Sequence, residues 1–375
     1  MKKGSWFDKW YTEPVECAHH ERIENIDSEY LSSYFLTRII QTHPAKKAYN
    51  RHVNALFRST ILKSTGADAI ASEEELQSLW KGYGEILRIS LDGGTSRSVI
   101  AKYIHFPALS GKNKKNSEVN SHQRKLKSYN VEAAWYSHWS HLCTDGCRVP
   151  ACLAVAKGKN DLLIVLEDLD AAGFPRRCSD PSWAEMTAGL QWLAEFHATF
   201  MGITPEDLWR VGTYWHLDTR PEELKALSDP PLRSVAGRID MQLKKTIQTI
   251  VHGDAKLQNF CFTEDGSGVA AVDFQYTGGG CGMKDVAYFV ASCVHEEECA
   301  RWENDILDIY FTALTRAMTK RNSSVDPATV EAAWRPFYHL AWVDFHRFYK
   351  GWSGYRFPKE GYSERLSRRV IDQLN

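Results

Sequence analysis

Residues 250–262, Ile-Val-His-Gly-Asp-Ala-Lys-Leu-Gln-Asn-Phe-Cys-Phe, decide how this chain is read. An apolar lead-in, Ile250-Val251, delivers His252, Gly253 and Asp254, and Asn259 follows the aspartate by five positions. Working outward, Phe260-Cys261-Phe262 and Val269-Ala270-Ala271-Val272 flank Glu264-Asp265-Gly266-Ser267-Gly268. Two short apolar runs around a turn-forming cluster predict a β-hairpin. Its second strand ends at Asp273, fourteen residues after Asn259. The stretch therefore carries two carboxylates and an amide at fixed intervals, joined by elements too short to let them drift apart.

The spacing H-x-D-x-x-x-x-N is that of the protein-kinase catalytic loop. There the aspartate takes the proton of an acceptor hydroxyl and the asparagine holds Mg²⁺. Asp273, written Asp273-Phe274-Gln275, stands where kinase folds have the second Mg²⁺ aspartate, and Lys256 is positioned to reach the transferred phosphate. Phosphoryl transfer asks little covalent help of the protein, so a short loop that orients a hydroxyl and a metal is sufficient as its core. Gly253, where protein kinases carry arginine, argues for a small-molecule acceptor.

Together the HGD and asparagine segment, Val272-Asp273-Phe274-Gln275 and Asp285-Val286-Ala287-Tyr288-Phe289 resemble the aminoglycoside phosphotransferase and choline kinase superfamily. The similarity is greatest to its ecdysteroid-kinase-like branch. It extends upstream through Ser128 to Tyr136 and Leu166-Glu167-Asp168-Leu169, covering about residues 80 to 295. The resemblance implies a two-lobed, protein-kinase-like α+β fold with a sheet-containing N-lobe and a mostly helical C-lobe. ATP and Mg²⁺ are the cofactors it implies, with a small hydroxylated molecule as acceptor. On this reading residues 1–170 form a nucleotide-binding lobe with a helical N-terminal extension, and residues 171–375 carry the catalytic loop and acceptor site.

In that frame Lys81-Gly82-Tyr83-Gly84-Glu85 precedes a predicted strand from Ile86 to Leu91, turned by Asp92-Gly93-Gly94-Thr95 onto a partner strand from Val99 to Phe106. Gly82 and Gly84 make a partial glycine-rich loop for the phosphates, and Lys102 is the lysine that pairs with them. No G-x-x-x-x-G-K-[ST] pattern marks a P-loop. The polar, lysine-rich run from Pro107 to Ser128 reads as a solvated loop. A helix from Tyr129 to Leu142 then offers Glu132 to Lys102, while a water-facing lysine and a surface glutamate are the plain alternatives. Leu162 to Leu166 reads as a buried strand. The family resemblance makes Glu167, Asp168 and Leu169 the crossover whose backbone meets adenine, although Asp168 also suits a turn cap.

Downstream, Asp180-Pro181-Ser182 with Glu185 signals a helix start. Its stripe Met186, Leu190, Leu193, His197 and Phe200 faces a core, with His197 read as a hydrogen-bonded core residue. A loose stretch from Pro205 to Pro231 and a helical pattern from Leu232 to Ile250 lead to the loop. The run from Tyr276 to Gly282 reads as a tight structural turn. Asp285 opens an apolar helix through Val294 and is expected to cap or support the loop. Trp334, Tyr338, Trp342, Phe345, Tyr349 and Trp352 form one aromatic helical face, which suits a core but also, with Asp344, a cationic acceptor. At the other end, residues 1–27 carry no readable period. Helices are expected from Asp27 through Ile39 and from Ala45 to Leu62, the latter with Val53, Leu56 and Phe57 inward.

The 375 residues, 43% hydrophobic and 25% charged, suffice for two lobes with a substantial core. A net charge of −1 argues against a nucleic-acid partner or an anionic membrane surface. Nine cysteines without a repeated spacing read as reduced thiols, and Cys143, Cys147 and Cys152 lack the further ligands of a zinc site. With no apolar leader or membrane-length run, the expected location is the cytoplasm. Two other readings stay open: a catalytically silent, kinase-like nucleotide-binding protein, and a metal-dependent hydrolase built on His252 and Asp254.

Overall fold

A computed structural model describes residues 55–79, 82–106 and 116–375. The N-terminal extension, the helix expected from Asp27 and most of the 45–62 segment lie outside the described residues, as do Lys81 and residues 107–115. Helix α1 (Ala55–Thr65) leads into strands β1 (Ala69–Leu79), β2 (Gly84–Asp92) and β3 (Ser98–His105). Helix α2 (Asn116–His138), β4 (Cys152–Lys157) and β5 (Asp161–Glu167) follow. The strands form one antiparallel sheet in the order β1-β2-β3-β5-β4.

Period-two alternation sorts β3 between two cores. Val99 and Ala101 join Phe57 and Ile61 of α1 with Leu87, Ile89, Leu163 and Val165 on one face. Ile104, with Ile164 and Leu166 of β5, belongs to the main core on the other. Lys102 lies between Ile86 of β2 and Ile164 of β5, at the centre of the sheet. Phe57 is buried as expected, whereas Leu56 is 53% exposed and does not face inward.

Three sequence expectations change here. Strand β1 is not expected from the sequence, so Gly82 lies between β1 and β2, Gly84 opens β2, and Lys102 sits on the third strand of the sheet rather than the second. The lysine-rich segment is helical from Asn116 onward. Helix α2 ends at His138, and Ser140–Leu142 is a separate 3-10 turn.

The second half is helical. Helix α3 (Trp183–Thr199) starts at a complete capping box, with Ser182 Oγ accepting from Glu185 N and Glu185 accepting from Ser182 N. After α4 (Pro221–Ala226), α5 (Pro230–Lys245) stops short of the expected Ile250, because Thr249–Val251 forms strand β6. The predicted hairpin is present as β7 (Phe260–Phe262) and β8 (Val269–Ala271), with Cys261 opposite Ala270. The glycine run is a strand, β9 (Gly278–Gly280), paired antiparallel with β6. A Cβ on Gly278 would lie 2.1 Å from Trp209 O, so these glycines admit a neighbouring backbone.

Helices α6 (Met283–Cys293), α7 (Glu296–Lys320), α8 (Pro327–Trp334), α9 (Phe337–Ser353) and α10 (Tyr362–Leu374) complete the lobe. The aromatic face therefore spans two helices, with Trp334 closing α8. The result is a two-lobed α+β fold with an antiparallel sheet in one lobe and helices in the other. No described helix is long and apolar enough to cross a membrane.

Candidate active site

Strand β6 ends where the polar loop begins, and side chains of helix α6 hold that loop in shape. Asp285, in the first turn of α6, accepts from His252 N at 2.6 Å and Gly253 N at 2.9 Å. Its own carboxylate meets His197 Nε2 at 3.1 Å, and His197 Nδ1 meets the Tyr310 hydroxyl at 2.7 Å, so His197 is the core residue expected. Ser292 Oγ accepts from Leu257 N at 2.9 Å. Asp285 thus supports the loop as anticipated, though Gly282 rather than Asp285 occupies the helix cap.

Gly253 has φ +82, and a Cβ there would sit 2.0 Å from Tyr276 O. Backbone packing alone therefore requires glycine between His252 and Asp254, and the position says nothing about acceptor size. His252 is fully buried, with Nε2 3.0 Å from Val272 O and Nδ1 accepting from Asp254 N at 3.2 Å. Burial lowers its pKa, so the ring is a neutral strut between backbone groups. Both nitrogens being so engaged, His252 is no metal ligand, which removes the basis of the hydrolase reading.

A cavity of about 710 Å³ between the lobes collects most of the residues picked from sequence. Lys102, Glu132, Glu167, Asp168, Leu169, Asp254, Lys256, Asn259 and Asp273 line it, and Gly82 and Gly84 do not. Gly84 instead lets β2 lie against β3, since a Cβ would approach Tyr103 O to 2.0 Å.

Lys102 Nζ lies 2.7 Å from Glu132 Oε2 and 3.5 Å from Asp273 Oδ1. Burial opposes the ammonium, but the two carboxylates outweigh it and raise its pKa. Asp273 likewise loses solvation yet is held below its usual pKa, by Lys102 first and then by Lys256 and Lys125. It is one of few non-glycine residues with positive φ, at +69. Such backbone strain persists where surrounding contacts enforce it. Asn259 Nδ2 donates to Asp254 O at 2.7 Å and Oδ2 at 3.1 Å, and Lys256 Nζ stands 3.6 Å from Asp254 Oδ2.

The donor chemistry fits a hard cation. With its nitrogen turned to Asp254, Asn259 presents an amide oxygen, and Asp273 presents a carboxylate to the same cavity. Among the described residues no group of three or more His, Cys, Asp or Glu makes a protein-only metal cage. Mg²⁺ is commonly held this way, by one or two protein oxygens together with substrate phosphates.

Sequence reasoning missed the partners at the crossover. Asp168 accepts from Arg88 Nε and Ser98 Oγ, each at 2.8 Å, and from Asp170 N at 3.1 Å, so its turn-capping role is real. Glu167 is bound by Arg148 at 2.6 Å. Tyr214, Arg220, Tyr276 and Phe348 also line the cavity without having been read as site residues, and Trp352 of the aromatic face joins them. The rest of that face is core: Trp334, Tyr338, Trp342 and Phe345 are buried and do not line the cavity. Asp344 is sealed by Arg347 at 2.8 Å and Trp215 Nε1 at 3.1 Å, which withdraws it as a partner for a cationic acceptor.

The resemblance seen in the sequence is borne out by comparison with known families, since residues 211–323 match the ecdysteroid kinase-like family. Comparison with curated proteins finds no match. Similar solved structures include an aminoglycoside phosphotransferase from Streptomyces rimosus in complex with ADP and streptomycin, at 14% identity and TM-score 0.43, covering 77% of this chain and 97% of that one. An ethanolamine kinase from Plasmodium vivax matches at 10% identity and TM-score 0.45, covering 93% and 96%. A putative fructosamine-3-kinase from Haemophilus somnus matches at 13% identity and TM-score 0.40, covering 85% and 96%.

Proposed function

We propose that this protein is an ATP-dependent kinase that transfers the γ-phosphate to a hydroxyl of a small molecule. The observation that carries the reading is convergence. Lys102 of the sheet, Glu132 of α2, and Asp254, Asn259 and Asp273 of the loop and hairpin all face one cavity, with Lys102 bridging Glu132 and Asp273. Charged residues so far apart in sequence have no shared packing reason to meet in one cleft.

On this reading residues 1–170 contain the nucleotide lobe and 171–375 the acceptor lobe. The backbone of Glu167 to Leu169 meets the adenine edge, and Lys102, fixed by Glu132, meets the phosphates. Asn259 Oδ1 and Asp273 would hold Mg²⁺, which when bound neutralises phosphate charge. Asp254 orients the acceptor hydroxyl and takes its proton, and Lys256 meets the phosphate in transit. Asn259 fixes the Asp254 carboxylate at 3.1 Å, so the base is oriented before the acceptor arrives. Positioning and charge neutralisation supply most of the rate. Tyr214, Tyr276, Phe348 and Trp352 give the acceptor ring surfaces, and Arg220, paired with Glu223 at 3.3 Å, lines the same cavity.

Incubation with ATP, Mg²⁺ and a panel of hydroxylated metabolites, read by mass spectrometry, tests this. Phosphorylation of one class, lost in Asp254→Ala, is expected. Undiminished turnover by Asp254→Ala would remove Asp254 from its role. ATP binding with no product from any acceptor would favour the silent nucleotide-binding reading.

A further inference from the structure

Gln275 is buried at 6% exposure, lines the cavity, and spans two elements that the proposed chemistry needs in register. Its Nε2 donates to Asp273 Oδ1 at 2.7 Å. Its Oε1 accepts from Lys125 Nζ at 3.2 Å and faces Ser128 Oγ at 3.2 Å, both on α2. Two donors on one side and a carboxylate on the other fix which way the amide points. An amide is the side chain that can accept on one arm and donate on the other.

The bridge closes a ring. Glu132, one turn beyond Ser128 on α2, holds Lys102, and Lys102 lies 3.5 Å from the same Asp273 oxygen that Gln275 engages. Asp273 is thus gripped from the sheet through Lys102 and from α2 through Gln275. With Oδ1 engaged by both, Oδ2 is the oxygen left to a metal. The grip falls on a residue whose backbone, at φ +69, needs external support to stay where it is.

We propose that Gln275 is a positioning residue for the metal site: it sets the Asp273 carboxylate and couples that setting to the seating of α2. The proposal rests on the kinase reading above, and it assigns to the third residue of Asp273-Phe274-Gln275 a task in metal binding separate from acceptor recognition. A glutamate at this position keeps both acceptances from α2, loses the donation, and places a like charge beside Asp273. A methionine of similar length loses all three contacts.

Calorimetric titration of ATP with and without Mg²⁺, on folded wild type, Gln275→Glu and Gln275→Met, tests it without needing an acceptor. In the wild type Mg²⁺ tightens ATP binding. Both variants should lose about tenfold or more of that tightening, the range seen when groups behind a metal ligand are removed, with metal-free ATP affinity little changed. A glutamine of merely structural importance would lower melting temperatures and leave the Mg²⁺ effect intact, and that result in either folded variant overturns the proposal. Failure of the wild type to bind ATP at all would overturn the kinase reading itself, and this inference with it.

Discussion

Asp285 shows how much a single carboxylate does at this site. It accepts from two consecutive backbone N–H groups at the head of the loop, and it is fully buried. Asp285→Ala strands both donors out of reach of water, at a cost of roughly 3 kcal/mol. Chemical denaturation should report that loss, together with a fall in turnover, whereas stability within a few tenths of wild type would contradict the role given to Asp285. At Asp254 the expectation differs, because the general base proposed there would contribute to the transition state. Asp254→Ala should cost about 10²–10⁴-fold in turnover with ATP affinity nearly unchanged. Asp254, Asn259 and Asp273 were legible in the sequence because one loop and one hairpin fix their spacing. Lys102 and Glu132 were legible from their order along the chain. Arg88 with Asp168, 80 residues apart, and Lys125 with Gln275, 150 apart, were not, since nothing local ties such partners together.

The first half of helix α2, up to Ser128, and strand β1 are the elements that escaped sequence reading. Along the start of α2 the buried positions up to Tyr129 are His122, Lys125, Ser128 and Tyr129, a helical spacing carried largely by polar side chains. A search for apolar periodicity passes over such a face, and the surrounding lysines suggested a loop. Strand β1, Ala-Ile-Ala-Ser-Glu-Glu-Glu-Leu-Gln-Ser-Leu, is a polar edge strand and hides for the same reason. One element that was legible, α3, and one that was not, β9, invite tests of their physical basis. Ser182→Ala breaks the capping box of α3 and should cost about 1 kcal/mol, visible as a lower denaturation midpoint. Gly278→Ala pushes a methyl to 2.1 Å from Trp209 O, within a strand that backs the loop. It should destabilise by about 3 kcal/mol or more. Retained stability there would mean that β9 and the 209–212 segment are not packed as described.

Across the whole molecule the acidic limit of stability is set partly where α10 docks on α9. Glu364 meets Lys350 at 2.6 Å and His346 at 3.1 Å. Burial opposes its charge, but His346 and Lys350 outweigh that and hold its pKa at about 2, below the usual 4.5. A depressed carboxylate stabilises the fold above its unfolded value, so this contribution is complete above pH 4.5 and drains away as pH falls toward 2. Glu364→Gln should therefore melt lower than wild type at pH 7, and the gap should narrow as pH drops below 4.5. A gap constant over that range would remove Glu364 from the account. The central claim concerns the cleft between the lobes, where side chains from the sheet, α2 and the loop meet around a nucleotide. A crystal structure with Mg²⁺ and a non-hydrolysable ATP analogue addresses it most directly. The account predicts a metal at about 2.1 Å from Asn259 Oδ1 and from Asp273, with Lys102 on the phosphates and adenine against the backbone of residues 167–169. A nucleotide bound elsewhere, or a metal touching neither Asn259 nor Asp273, would contradict it.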